Sequence, residues 1–176
     1  MGKIAHSADS GDSSSFREER NRWLLYDDSA LLAECEFDEY QASGPGGQKR
    51  NRKYSAVRLK HIPTGIEVRA AESRSQKTNR SAALSKLRTK IAIDVRGASI
   101  SDHLETCQVA LTNKRYPLFL AFLFDTLHSC GFAIADTAAA MGISTGKLVK
   151  LLARDSGIWQ IINNERKNRG MNPLKK

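Results

Sequence analysis

The sequence predicts an α+β fold: a small mixed β-sheet with one packed helix and a protruding loop at Gly46–Gly47–Gln48, followed by an all-α, helix-turn-helix-like C-terminal lobe. Three observations lead there. Residues 57–69 alternate apolar and charged side chains, residues 75–95 switch to a helical period, and beyond Gly97–Ser101 the patterned segments all read as helix. A chain of 176 residues has room for two such lobes at most.

Taken in order, residues 1–22 are rich in Ser, Gly, Asp and Glu and are expected to be a disordered leader. Order is expected from Trp23, with a short helical turn and then a strand that sets Cys35 and Phe37 against Glu36 and Asp38. In "YSAVRLKHIPTGIEVRA", Val57 and Leu59 oppose Arg58 and Lys60, Ile66 and Val68 oppose Glu67 and Arg69, and Pro63–Thr64–Gly65 carries turn chemistry, so a hairpin is predicted. From Ser75 to about Val95, Ala83, Leu84, Leu87 and Ile91 form one apolar helical stripe.

The lobe is expected to contain helices near His103–Leu111, Tyr116–Ser129, Ile134–Met141, Thr145–Ala153 and Gly157–Lys167. Small Ala138 four residues before Gly142, with Ile143, Leu148 and Leu151 after it, fits a helix-turn-helix crossing and equally fits ordinary helix packing. The resulting organisation is a leader (1–22), a catalytic domain (23–96), a helical lobe (97–165) and a basic tail (166–176).

Charge narrows the function. Residues 1–43 carry 4 Lys/Arg against 10 Asp/Glu, residues 44–90 carry 13 against 2, and residues 91–176 carry 11 against 7. A cationic block this concentrated favours a polyanionic partner such as nucleic acid. Cys35, Cys107 and Cys130 lack disulfide or zinc spacing, and His6, His61, His103 and His128 form no triad or metal grouping, so neither metal nor cofactor is expected. No apolar run reaches the roughly 18 to 20 residues of a membrane span, and a cytoplasmic, monomeric protein is expected.

The glycine segment "SGPGGQKRNRK" has neither the GxxxxGK[ST] nor the GxGxxG spacing of nucleotide loops. Together with "SAVRLKHIPTGIEV" and "SRSQKTNRSAALSKLRTKI" it closely resembles the catalytic domain of the class I peptide chain release factors, over about Cys35–Ile91. That resemblance implies a loop that enters the peptidyl transferase centre of the large ribosomal subunit and promotes hydrolysis of the peptidyl-tRNA ester. Gly46, Gly47 and Gln48 would be catalytic. Lys49, Arg50, Asn51, Arg52 and Lys53 would contact RNA, as would Arg74, Gln76, Asn79 and Arg80, with helix capping and solvation the alternative for these last four. Where the family usually has "HVNKT" after the glutamine, this chain has "KRNRK".

The residue types suit that chemistry. An ester attacked by water develops an oxyanion, and one backbone N–H aimed at it is worth about 3 to 4 kcal/mol. Glycine permits the required backbone angles, and a glutamine amide can orient water but cannot act as a general base.

Only about 35 residues, net acidic, precede the match. The expectation is therefore a codon-independent rescue hydrolase acting with the large subunit, ribosomal RNA and peptidyl-tRNA. The alternative is a noncatalytic ribosome or structured-RNA binding protein that uses the loop as a docking finger.

Overall fold

The computed structural model describes residues 12–41, 54–96 and 110–175. The chain divides into two units, Met1–Gly97 and Ala98–Lys176.

In the first unit a hairpin carries the alternation onward. Strands β2 (Ala56–His61) and β3 (Glu67–Ala70) pair antiparallel, joined by a turn in which Gly65 adopts φ +68° and donates its N–H to His61 O at 2.8 Å. β1 (Cys35–Tyr40) pairs antiparallel on the other side of β2, from Cys35 opposite His61 to Tyr40 opposite Ala56. The sheet expected to be mixed is therefore antiparallel throughout its described strands, in the order β1-β2-β3. A hairpin with a third adjoining antiparallel strand needs no crossover, which is why so short a chain can build it.

One face of β2 presents Val57, Leu59 and His61, all buried. On the other face Arg58 and Lys60 lie opposite Asp38 and Glu36 of β1, with ion-pair distances of 2.7 and 3.1 Å.

The buried face is covered by α3 (Gln76–Asp94), whose stripe of Ala83, Leu84, Leu87 and Ile91 is fully buried. Each such Leu or Ile contributes about 1.5 to 3 kcal/mol by leaving water. Ser75 caps this helix through its hydroxyl, which accepts from Thr78 N at 3.3 Å. α2 (Asp28–Ala33) is capped by Asp27, which accepts from Ala30 N at 2.8 Å, and Arg88 of α3 clamps it by bonding Asp28 at 2.8 Å and Tyr26 O at 2.8 Å.

The leader needs correction. α1 spans Asp12–Leu25, and its C-terminal half buries Arg20, Trp23 and Leu24. Arg20 Nη1 donates to Val95 O at 3.1 Å, tying α1 to the end of α3. Order thus begins well before Trp23, while residues 1–11 lie outside the described part.

The second unit is helical across its described residues. α4 (Tyr116–Ser129) admits Pro117 in its first turn, where no helical N–H bond is lost, and buries Phe119, Leu120, Leu123, Phe124 and Leu127. No described helix is long and apolar enough to cross a membrane. α5 (Ile134–Ala140) and α6 (Thr145–Ala153) flank a turn in which Gly142 sits at φ +63° and Ile143 N reaches Ala138 O at 3.0 Å, a tight turn that fits a helix-turn-helix crossing and ordinary helix packing alike. α7 (Ser156–Asn168) is capped by Asp155, which also accepts from Tyr116 Oη at 2.9 Å.

The tail expected from residue 166 is also redrawn. Arg166 and Lys167 belong to α7, Arg166 Nε holds Asn172 O at 3.0 Å, and Leu174 N donates to Asn163 at 2.7 Å, so the following residues fold back on their own helix. The helix expected near His103–Leu111 falls mostly outside the described residues.

Candidate functional site

Gly46, Gly47 and Gln48, and with them Lys49, Arg50, Asn51, Arg52 and Lys53, lie outside the described residues. What the structure describes is the ground they depart from: the end of β1, the start of β2, and the first turns of α3.

Among the described residues, six of the nine cations of the basic block are already engaged. Arg58 and Lys60 face acids of β1, Arg69 pairs with Glu67 at 2.7 Å, Lys86 pairs with Glu72, and Arg88 pairs with Asp28. Lys90 donates to Glu67 O at 3.3 Å. Three are left with no side-chain partner among the described residues: Arg74, Lys77 and Arg80, all exposed around the start of α3. Arg74 and Arg80 were expected here; Lys77 was missed, although its place between them in the first turn was visible in the sequence.

Two of these cations sit at the wrong end of a helix. The N-terminus carries partial positive charge, and cations there are disfavoured where an acid would be favoured. The first turn of α3 contains no acid. An arrangement that breaks a local rule without internal compensation suits an external anion, which would gain from the cations and the helix end together. Lys77 and Arg80 also border a groove shared with Asp27 and Asp28. Those carboxylates are occupied, Asp27 by its cap and Asp28 by Arg88. Hydrogen bonds from Ser29 and Ala30 hold the Asp27 carboxyl below its usual range.

Gln76 and Asn79 are placed differently from the expectation of RNA contact. Asn79 is only 1 % exposed, and its amide is spent on the protein: Oδ1 accepts from Ser73 N at 2.9 Å, and Nδ2 donates to Ser55 O at 2.6 Å and Ser73 O at 2.8 Å. It has no atom free for RNA. Gln76, half-buried, donates its amide N–H to Glu39 of β1.

Among the described residues, His61, Cys35 and His128 are engaged within the fold, while His6, His103 and Cys107 lie outside the described residues. His61 is buried, with Nδ1 2.8 Å from Thr64 Oγ1 and its ring edge-on to Trp23 at 4.8 Å. Cys35 donates to Leu31 O at 3.1 Å, and burial pushes its thiol up to about 11, far from a thiolate nucleophile. His128 packs edge-on to Phe132 at 4.9 Å.

Comparison with known proteins gives this ground a family. Residues 31–113 match the family model described as RF-1 domain. This segment resembles the RF-1 domain family. The chain is 52% identical over 59 residues to "Peptide chain release factor 1" of Mycoplasma pneumoniae, which covers 34% of this chain and 16% of that protein. It is equally similar to "Peptide chain release factor 1" of Geobacter sulfurreducens, 52% over 59 residues and 17% of that protein. "Peptide chain release factor 2" of Paramagnetospirillum magneticum is 51% identical over 59 residues, 16% of its length. The chain thus spans about a sixth of the length of these relatives. The matched segment takes in part of α2, the sheet, α3 and the residues between β1 and β2; α1 and α4–α7 lie outside it.

Proposed function

We propose that the chain is a ribosome-dependent peptidyl-tRNA ester hydrolase that frees peptides from stalled ribosomal complexes without reading a codon. The RF-1 domain with Gly46–Gly47–Gln48 in its expected frame carries this reading. In the reaction, water attacks the ester carbonyl, the Gln48 backbone N–H stabilises the oxyanion and its amide orients the water. The ester bond breaks to give a free peptide carboxylate and the ribose hydroxyl of tRNA. Catalysis is positioning within an RNA centre, which is consistent with His61, His128 and Cys35 being tied up elsewhere.

Arg74, Lys77 and Arg80 would hold ribosomal RNA phosphates beside the loop, joined by Lys49, Arg50, Arg52 and Lys53 and by Asn51. The protein would act as a monomer in the cytoplasm, on the large subunit, without cofactor.

A reconstituted assay on ribosomes with truncated messenger, ribosomes with a filled A-site codon, and isolated large subunits carrying peptidyl-tRNA tests the proposal. Release from the first or third substrate is expected, and it is lost in a Gly46→Ala, Gly47→Ala double variant that still binds. Release unchanged in that variant refutes the mechanism. A second reading rests on "KRNRK", which adds charge where the family usually has "HVNKT": a noncatalytic RNA-binding protein that docks through the loop. Tight ribosome binding with no release from any of the three substrates would establish it.

A further inference from the structure

The strands leading into and out of residues 42–53 meet at the Tyr40–Ala56 pair. Each is tied, at that point, to the start of α3. On the incoming side the Glu39 carboxylate accepts from Gln76 Nε2. On the outgoing side Ser55 O accepts from Asn79 Nδ2 at 2.6 Å, and the same amide binds both backbone groups of Ser73, just ahead of the Ser75 cap. Gln76 and Asn79 are three residues apart, one turn of one helix, so their side chains lie on the same side of it.

We propose that Gln76 and Asn79 form a bracket that sets the separation and direction of the two chain ends from which the loop departs. They are then positioning residues for peptide release, an inference that rests on the release reading above. The helix that carries them is anchored by Ala83, Leu84, Leu87 and Ile91, all buried, so the bracket stands on a rigid element. A small error in direction at the base grows with distance along the loop, and a misplacement of about 1 Å at a reacting centre can lower a rate about 10²-fold.

The amide is chemically specified at position 79. Its acceptor takes one N–H and its nitrogen supplies two carbonyls, a set that only a carboxamide of this length provides. Asn79→Asp keeps shape and acceptor but turns a buried carboxylate toward two carbonyls. Gln76→Glu turns a second carboxylate toward Glu39. Adding Glu39→Gln to Gln76→Glu reverses donor and acceptor and restores the bond.

The experiment measures maximal release rate and half-saturating concentration separately on the purified ribosomal complexes. Asn79→Asp is expected to lower the maximal rate about 10²-fold and Gln76→Glu about tenfold, with half-saturation within about twofold of wild type. The Glu39→Gln, Gln76→Glu double variant is expected to recover to within about threefold. A single variant at the wild-type rate, a loss confined to half-saturation, or a double variant that fails to recover overturns the bracket. Should Asn79→Asp fail to fold, the Glu39–Gln76 exchange decides alone.

Amide exchange at Ala56 and Val57 is read in parallel and needs no ribosome. It is expected to quicken in both single variants and return in the double. A wild-type chain that releases nothing while showing this exchange pattern refutes the release reading and retains the bracket; unchanged exchange refutes the bracket itself.

Discussion

Acidification from about pH 8 to about pH 5 is expected to destabilise the first unit through one side chain, His61. The ring is fully buried, Nδ1 shares a proton with Thr64 Oγ1, and Nε2 has no hydrogen-bond partner among the described residues. Trp23 of α1 lies edge-on to it, and Glu34, at the end of α2, is the charge that pulls on it. Burial outweighs that pull and holds the imidazole below its ordinary 6.5. The unfolded chain therefore takes up the proton more readily than the folded one. Stability is full above pH 6.5 and falls as pH drops below it, until the folded value is reached. One proton limits the slope to about 1.4 kcal/mol per pH unit, hence a loss of at most about 2 kcal/mol by about pH 5.

Asp27, Glu67 and Glu72 also have lowered values, but carboxylates lose their contribution only as pH falls below their ordinary 3.8 to 4.5. The window above that belongs to His61. The chain has two tryptophans, so a Trp159→Phe background leaves Trp23 as the reporter of urea unfolding in the first unit. His61→Phe keeps a ring against Trp23 and removes the titration. A midpoint that does not move across the window in wild type, or moves equally in His61→Phe, refutes the reasoning.

The free cations predict a salt signature. Replacing Arg74, Lys77 and Arg80 by Gln is expected to lower the slope of log affinity for ribosomal RNA against log salt by about 2 to 3, at roughly 0.7 to 0.9 per phosphate contact, without loss of thermal stability; an unchanged slope removes them from the interface. Ser75→Ala is expected to cost about 1 kcal/mol in urea unfolding by removing the cap, whereas Ser75→Asp keeps it and adds a charge that suits the helix end. Gly142→Ala meets no neighbour within 4 Å, so its cost is backbone alone, about 1 to 2 kcal/mol at φ +63°, read from Trp159 fluorescence in a Trp23→Phe background.

Much of the fold was legible because its signals are local. The alternation of Val57, Arg58, Leu59 and Lys60 marks β2, and Ser75 and Gly142 stand where a helix start and a turn are built. α1 was not legible. "DSSSFREERNRWLL" is polar for most of its length, and what orders its buried half is Arg20 reaching Val95 O, 75 residues away. Nor was the burial of Asn79, because an asparagine in the first turn of a basic helix reads as solvated until the backbone of Ser55 and Ser73 is brought against it.

The charge pattern is the more instructive case. The acidic stretch before residue 44 and the basic block after it look like opposite surfaces, yet Glu36 and Asp38 lie across the sheet from Lys60 and Arg58, and Asp28 takes Arg88. Much of the described asymmetry is therefore consumed within the fold, and a run of charge points outward only after its cross-strand partners are discounted. The remainder is not scattered: Arg74, Lys77 and Arg80 alternate in sequence with Gln76 and Asn79 around the start of α3. The former face solvent, and the latter hold the strands at the base of the loop. In the proposed reaction, gripping RNA phosphate and aiming Gln48 thus become one mechanical event, because a phosphate that fixes this end of α3 fixes the bracket with it.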